Sequence, residues 1–273
     1  MVRTAIWAAL SFVGVTCAQD GQQGSRPGWP CVPGRAVDPS YIEVSESTGG
    51  QLFLFQKSEA AQSSVVMSAS FTHPHTVLRA IGNLSGTRDF EFPVDGGMQS
   101  ILVLASLECR NAILVTRPGG GELTAANSAQ SIELQAGRIH RIDGPEPGIW
   151  NVRLTGTGLF VLSVLTKADI SFGGVVFSAV TGEGGRLQDP LLGVRQRLEA
   201  HLGGQVANVR FQMVDAGGAV VADLDATDAA NGIYRTEITP RAERFRIRAT
   251  GTSASGWPFQ RIEPVLFHAR PPK

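Results

Sequence analysis

Short apolar segments separated by glycine-rich turns fill this sequence from residue 63 onward. Because successive side chains of a strand point to opposite faces, short alternating or β-branched segments predict strands rather than helices. The candidate strands of the first half are 64–71, 76–81, 89–94, 99–107, 112–116, 131–134, 138–142, 148–155 and 159–165. Turn signals such as Gly156-Thr157-Gly158 separate them. We therefore expect an all-β protein built from sandwiches or barrels.

The strand pattern divides into two series, with the boundary near Lys167 to Gly174. For residues 38–169 we predict a β-sandwich of the galactose-binding or jelly-roll-like kind, preceded by a short helix and a strand. Asp38-Pro39 has the sequence of a helix N-cap and first turn, and Gly49-Gly50 would end that helix. For residues 170–270 the strand spacing is typical of an immunoglobulin-like sandwich of about 100 residues.

Residues 1–18 have the layout of a secretory signal peptide. Arg3 precedes a mostly apolar run that ends in Thr16-Cys17-Ala18, a plausible small-x-small cleavage site before Gln19. That run is shorter than the roughly 20 apolar residues that span a bilayer, and no second apolar run follows, so we expect no membrane span. Residues 19–37 are rich in Gly, Pro and Gln and predict a flexible leader. The predicted location is secreted or extracytoplasmic.

Export determines how the three cysteines are interpreted. Cys17 falls within the signal peptide, which leaves Cys31 and Cys109 as an even pair in an oxidising compartment. Such a pair favours a disulfide. The alternative for Cys31 and Cys109 is that both are buried free thiols. For Cys17, a lipid anchor is a weaker alternative to removal with the signal peptide.

The charge balance argues against a nucleic-acid partner. Lys and Arg number 24, Asp and Glu number 24, and no basic excess is present to displace counterions from phosphates. The sequence also lacks a G-x-S-x-G elbow and a phosphate-binding glycine loop with its lysine. We expect no cofactor and no catalysis, and a partner that is a protein or a glycan.

An acidic segment before Gly232 has two interpretations. Asp228, followed by Asn231-Gly232 and Tyr234, fits a tyrosine corner, in which the tyrosine hydroxyl bonds to the chain at the preceding corner. Alternatively, Asp223, Asp225 and Asp228 supply closely spaced oxygen ligands suited to calcium. We favour the tyrosine corner.

Two further motifs are candidate ligand sites. Trp257 lies in a Gly-Trp-Pro turn and is the tryptophan expected to be most exposed, which makes it a possible ligand-binding residue. His73 and His75 flank Pro74, so both imidazoles would face the same side of an extended segment. Zinc would need further ligands, and a surface turn is the favoured interpretation.

Several segments resemble the region that follows the von Willebrand factor A domain in hemicentin-type extracellular proteins. These are residues 41–55 (YIEVSESTGGQLFLF), 92–95, 101–104, 113–119, 147–152, 245–251 and 255–261. The resemblance implies an extracellular, non-catalytic β-module. The Asp-x-Ser-x-Ser loop of the A domain's metal site is absent, so metal-mediated ligand binding is not carried over to any residue.

These observations favour a secreted, non-enzymatic module acting in interaction or in the cell envelope or matrix. A carbohydrate-binding protein is the alternative, based on Trp257 and on the galactose-binding-like first sandwich. A metal-dependent hydrolase using His73 and His75 is a weaker alternative.

Overall fold

The computed structural model describes residues 13–17, 31, 37–63, 74–180, 186–187 and 189–272. It is 62% strand and 8% helical, an all-β protein with one α-helix, as the strand pattern predicted. The helix α1 is Pro39–Thr48, and two 3-10 turns are Lys57–Gln62 and Ala125–Asn127. The strands are β1 Val13–Cys17, β2 Leu52–Gln56, β3 His75–Val94, β4 Met98–Thr116, β5 Gln130–Glu133, β6 Gly137–Asp143, β7 Gly148–Ala168, β8 Ser171–Ala179, β9 Arg186–Leu187, β10 Gln196–Gly203, β11 Val206–Val214, β12 Val220–Leu224, β13 Thr227–Asp228, β14 Ile233–Ile238, β15 Arg244–Ser253, β16 Pro258–Ile262 and β17 Phe267–His268. No helix within these ranges has the length and apolar character needed to cross a bilayer.

The first sheet has the order β3-β7-β4-β6-β5 and is folded over on itself. Val94 at the end of β3 pairs with Gly148, whereas Met98 at the start of β4 lies opposite Ala168, at the other end of β7. The short link from Val94 to Met98 can span at most about 14 Å. The two ends of β7 must therefore lie close together, although an extended strand of its length would reach roughly 70 Å.

Glycines allow the sheet to bend at its middle. Gly156 has φ +150°, and a Cβ there would lie 2.2 Å from the Cys109 carbonyl oxygen. Gly86 and Gly158 also have positive φ, and the β4–β7 register shifts next to Cys109. The sequence pattern predicted separate strands at 148–155 and 159–165, and this prediction was wrong. Ladder hydrogen bonds continue through Gly156-Thr157-Gly158, so both segments belong to β7.

Folding the sheet brings its two halves face to face around an apolar core. Phe90, in the second half of β3, contacts Phe160 across the core with ring centroids 5.4 Å apart. Trp150 is buried and stacks on Phe92 at 6.4 Å. Trp150 thus contributes to the core from the strand predicted at 148–155.

Strand β2 covers the outer face of this sheet. Leu52, Phe53, Leu54 and Phe55 are all buried, and the Leu54 amide donates to Ser106 Oγ at 3.2 Å. Strand β1 pairs in parallel with β2 along its whole length. Strand β1 lies within the residues predicted as a signal peptide, so cleavage after Ala18 would remove it. The remainder of that predicted segment, and most of the predicted leader, lie outside the described residues.

Two further sheets enclose the second core. Their orders are β13-β14-β10-β8-β9 and β12-β11-β15-β16, with β17 paired to β15. Leu198 and Tyr234 of the first of these sheets share one apolar cluster with Phe211 and Ile247 of the second. All buried members of this cluster lie between Ile170 and Ala269.

Helix α1 forms where the sequence predicted it. Asp38 Oδ1 accepts a hydrogen bond from the Ser40 amide at 2.8 Å, and Gly49 ends the helix with φ 73°. These are the N-cap and C-cap that the local sequence favours. The helix directs Glu46 inward, where it is buried.

Buried ion pairs join the two cores. Glu46 pairs with Arg79 of β3 at 2.8 Å and with Arg246 of β15, and all three side chains are buried. Arg79 also donates to the Ser45 and Gly50 carbonyls at the end of α1. Burial lowers the pKa of Arg79 and of Arg246 to about 10, so both remain cationic at neutral pH.

Main-chain contacts reinforce this junction. The Ile81 amide donates to the Ala216 carbonyl at 2.8 Å, and Arg88 donates to the Gly217 carbonyl at 3.0 Å. Gln260 of β16 donates to the Val77 carbonyl at 2.8 Å. Buried ion pairs add little net stability, but their geometry is specific. The junction therefore fixes the orientation of one core against the other.

Candidate functional site

The turn that carries Trp257 is held rigidly between β15 and β16. The Ser253 amide donates to the Trp257 carbonyl and the Gly256 amide to the Ser253 carbonyl, both at 2.9 Å. Ser253 Oγ also bonds to Ser255 Oγ and to the Trp257 carbonyl, each at 2.9 Å. Trp257 is 44% exposed despite its size, as its Gly-Trp-Pro sequence predicted.

A glycine turn from the first sheet packs against this tryptophan. A Cβ built on Gly96 would lie 2.6 Å from Ser255 Oγ and 3.7 Å from Trp257 Cδ1. A Cβ built on Gly97 would lie 3.4 Å from Asp169 Oδ2. The absence of side chains at both positions brings the exposed indole and the exposed Asp169 carboxylate onto one surface. We call Gly96, Gly97, Asp169, Ser255 and Trp257 the Trp257 surface.

A buried ion pair supports the Trp257 surface from below. Asp95 accepts from the Gly97 amide at 3.0 Å through Oδ1 and pairs with Arg261 at 2.9 Å through Oδ2. Arg261 also donates to the Ile170 carbonyl at 2.8 Å. Asp95 and Arg261 are fully buried and come from the two sides of the junction. The Trp257 surface therefore forms only when the first sheet is docked against the sheets of the second core.

The Trp257 surface combines apolar area with hydrogen-bond acceptors. An aromatic ring gives apolar contact area, and Asp169 gives two acceptor oxygens. Asp169 makes no ion pair or hydrogen bond with any residue that the structure describes. Sequence reasoning selected Trp257 but missed Asp169 and Gly96, because nothing in their local sequence indicates that they lie beside it.

Cys31 and Cys109 form a disulfide, with their Cα atoms 5.6 Å apart. Their pairing was the favoured interpretation of the cysteine count. Cys109 lies where the first sheet bends, so the bridge attaches the segment before α1 to that bend.

The described residues of the acidic segment make local contacts. Asp223 accepts a hydrogen bond from Gln212 at 2.7 Å, and Asp228 accepts one from the Ala230 amide at 2.8 Å. No group of three or more metal-ligating side chains occurs among the described residues, so Asp223, Asp225 and Asp228 are not assembled around one ion. The Asp223 carboxylate bonds within the β11–β12 hairpin, and the Asp228 carboxylate bonds within the turn before β14.

Tyr234 lies opposite Asp228 in the β13–β14 pair. Its ring packs on Phe211 with centroids 5.1 Å apart, and burial, with the Asp228 charge second, raises its pKa. The hydroxyl makes no hydrogen bond within the described part of the chain. The turn is closed instead by the Asp228 carboxylate and by Ala230 and Asn231, whose φ values are positive.

His73 lies outside the described residues. His75 is half-buried at the start of β3, and its pKa is lowered by burial and by the positive charge of Arg261. Its surroundings are therefore those of a neutral imidazole at the junction.

One serine–histidine pair was not selected from the sequence. His140 Nδ1 lies 3.0 Å from Ser128 Oγ, and Ser128 Oγ donates to the Thr124 carbonyl at 2.7 Å. A hydroxyl has one proton, so while Ser128 donates to Thr124, Nδ1 donates to Oγ. His140 Nε2 is buried and has no hydrogen-bond partner among the described residues, and burial lowers the pKa of His140 to about 4.

No family model and no curated protein matches this chain. Among solved structures it is similar to the lipase BlEst2 of Bacillus licheniformis in its propeptide form, at 14% identity and a TM-score of 0.30, over 70% of this chain and 44% of that one. It is also similar to the β-glucuronidase 3 of Bacteroides uniformis, at 9% identity and a TM-score of 0.26, over 68% of this chain and 27% of that one. A third is the Endo-D glycoside hydrolase domain of Streptococcus pneumoniae R6, at 12% identity and a TM-score of 0.21, over 70% of this chain and 33% of that one. The chain spans less than half the length of each of these proteins.

Proposed function

We propose that this chain is an exported, non-catalytic interaction module that presents the Trp257 surface to a partner. The observation that carries the proposal is the construction of that surface. An exposed tryptophan and an exposed carboxylate come from different elements and are held together by the buried Asp95–Arg261 pair. A large aromatic side chain kept in solvent on a rigid turn is typical of a binding site.

The Ser128–His140 pair supports a role without turnover. A histidine that activates a serine must accept the hydroxyl proton, and a third group must hold its other nitrogen. Here Ser128 donates to the Thr124 carbonyl, and His140 Nε2 has no partner in the part of the chain that the structure describes. In this arrangement the hydrogen bond runs from the imidazole to the hydroxyl, opposite to that of a nucleophile and its base.

The proposal is tested by turnover assays on purified protein with chromogenic esters and glycosides. We expect the same background rate from the unchanged protein and from Ser128→Ala, with no saturation by substrate. A saturable rate that is lost in Ser128→Ala, or in any other point variant that remains folded, would overturn it.

Carbohydrate binding is the second candidate function. The exposure of Trp257 favours it, because a flat indole face offers apolar area to the C–H groups of a sugar ring. The test is a glycan array probed with the unchanged protein and with Trp257→Ala. Binding that disappears in the variant supports the candidate, and a blank array removes it.

A further inference from the structure

The Trp257 surface carries one side chain that can select among sugars by charge. Asp169 follows the end of β7 and is exposed, and its Oδ2 lies 3.4 Å from the position that a Cβ on Gly97 would take. The other groups of the surface are uncharged: an indole, a hydroxyl and two glycines. Asp169 is therefore the charged member of the Trp257 surface.

We infer that the Trp257 surface binds an uncharged pyranose, with Asp169 as the residue that sets its specificity. This inference rests on the carbohydrate candidate of the proposed function and names its ligand class. One face of the sugar ring stacks on Trp257, and two ring hydroxyls donate to the Asp169 carboxylate. Hydrogen bonds to an ionised carboxylate are stronger than those to a neutral acceptor.

Charge discrimination follows from the same geometry. A sugar whose C6 hydroxymethyl group is oxidised to a carboxylate would place a second negative charge beside Asp169. Repulsion between two such charges about 4 Å apart, even when fully solvated, weakens binding by at least about fivefold. Ser255 and Trp257 pack against Gly96, so a side chain at Gly96 would press on both and disturb the surface.

Matched monosaccharides make the test direct. The full chain is titrated with methyl glucoside against methyl glucuronide, and with methyl galactoside against methyl galacturonide, followed by the indole N–H signals in NMR. We expect at least one neutral sugar to bind at millimolar concentration and its acidic partner to bind at least about fivefold more weakly.

Substitutions then assign the roles. Trp257→Ala should abolish binding, whereas Tyr41→Ala should not, because Tyr41 is equally exposed at 48% but lies on α1. Asp169→Asn should weaken the neutral sugar several-fold and remove the preference for it over the acidic partner. Asp225→Asn, an exposed carboxylate on another loop, should leave both unchanged.

The outcomes separate this inference from the functions on which it rests. Equal binding of neutral and acidic sugars, or a preference that survives Asp169→Asn, overturns the role of Asp169 and leaves carbohydrate binding in place. Failure of every sugar to bind to the folded protein overturns the inference and the carbohydrate candidate together. The proposal of a non-catalytic interaction function is contradicted only by a positive result in the turnover assay.

Discussion

Glu46 is the residue on which the junction depends most. It is the only carboxylate that ion-pairs with Arg79 or Arg246 among the described residues, and both guanidinium groups are buried. Glu46→Gln would leave two buried cations without their counter-charge, so we expect a loss of about 3–5 kcal/mol in the free energy of unfolding. Urea unfolding measures this. Glu43→Gln, on the exposed face of the same helix, is the control, and an equal loss in both variants would contradict the prediction.

The Tyr234 hydroxyl should contribute little to the free energy of unfolding. The sequence suggested a corner bond whose loss would cost about 1 kcal/mol, but the hydroxyl bonds to no described residue. Tyr234→Phe keeps the ring on Phe211, so we expect a change within about 0.5 kcal/mol. Asp228→Ala removes the bond to the Ala230 amide and should cost more, about 1 kcal/mol. The urea unfolding midpoints show which variant loses more stability. A larger loss in Tyr234→Phe than in Asp228→Ala would support the tyrosine corner after all.

At the scale of elements, the bend in the first sheet depends on Gly156. Alanine there would combine positive φ with a Cβ 2.2 Å from a backbone oxygen, which no side-chain movement relieves. Gly86 has φ +102° at the same bend but open space around its Cβ position. We expect Gly86→Ala to cost about 1–2 kcal/mol from backbone strain alone. Gly156→Ala should cost clearly more or prevent folding, as thermal melts would show. Equal melting temperatures would mean that the carbonyl contact does not matter.

The same bend explains where sequence reasoning succeeded and failed. Alternation identified the strands and the caps identified α1, because both signals are local. The glycines near residue 156 were interpreted as a turn, because a bend inside a paired strand and a turn between strands use the same residues. Only the neighbouring strand distinguishes the two. Trp257 could be selected for its turn sequence, whereas Asp169 could not, since its position beside Gly97 arises from docking.

At the scale of the whole molecule, two buried groups give pH dependences of opposite sign. Burial raises the pKa of Glu263 to about 7 from its usual 4.5, so its contribution to stability is fully present below 4.5 and is lost as pH rises to 7. Burial lowers the pKa of His140 to about 4 from 6.5, so its contribution is present above 6.5 and is lost as pH falls to 4. Each shift corresponds to roughly 3 kcal/mol.

Between pH 4.5 and 6.5 the effects of Glu263 and His140 oppose each other, and the lowered pKa of His75 acts in the same direction as that of His140. The unchanged protein should therefore show a weaker pH dependence of stability there than Glu263→Gln. Glu263→Gln removes one effect, so its free energy of unfolding should rise with pH across that window. The same variant should exceed the unchanged protein in stability at pH 8, where Glu263 is otherwise a buried anion. His140→Gln should show the opposite slope, falling as pH rises from 4.5 to 7. Urea unfolding at half-unit pH steps tests both, and parallel profiles for the two variants would show that these groups do not control the stability of the fold.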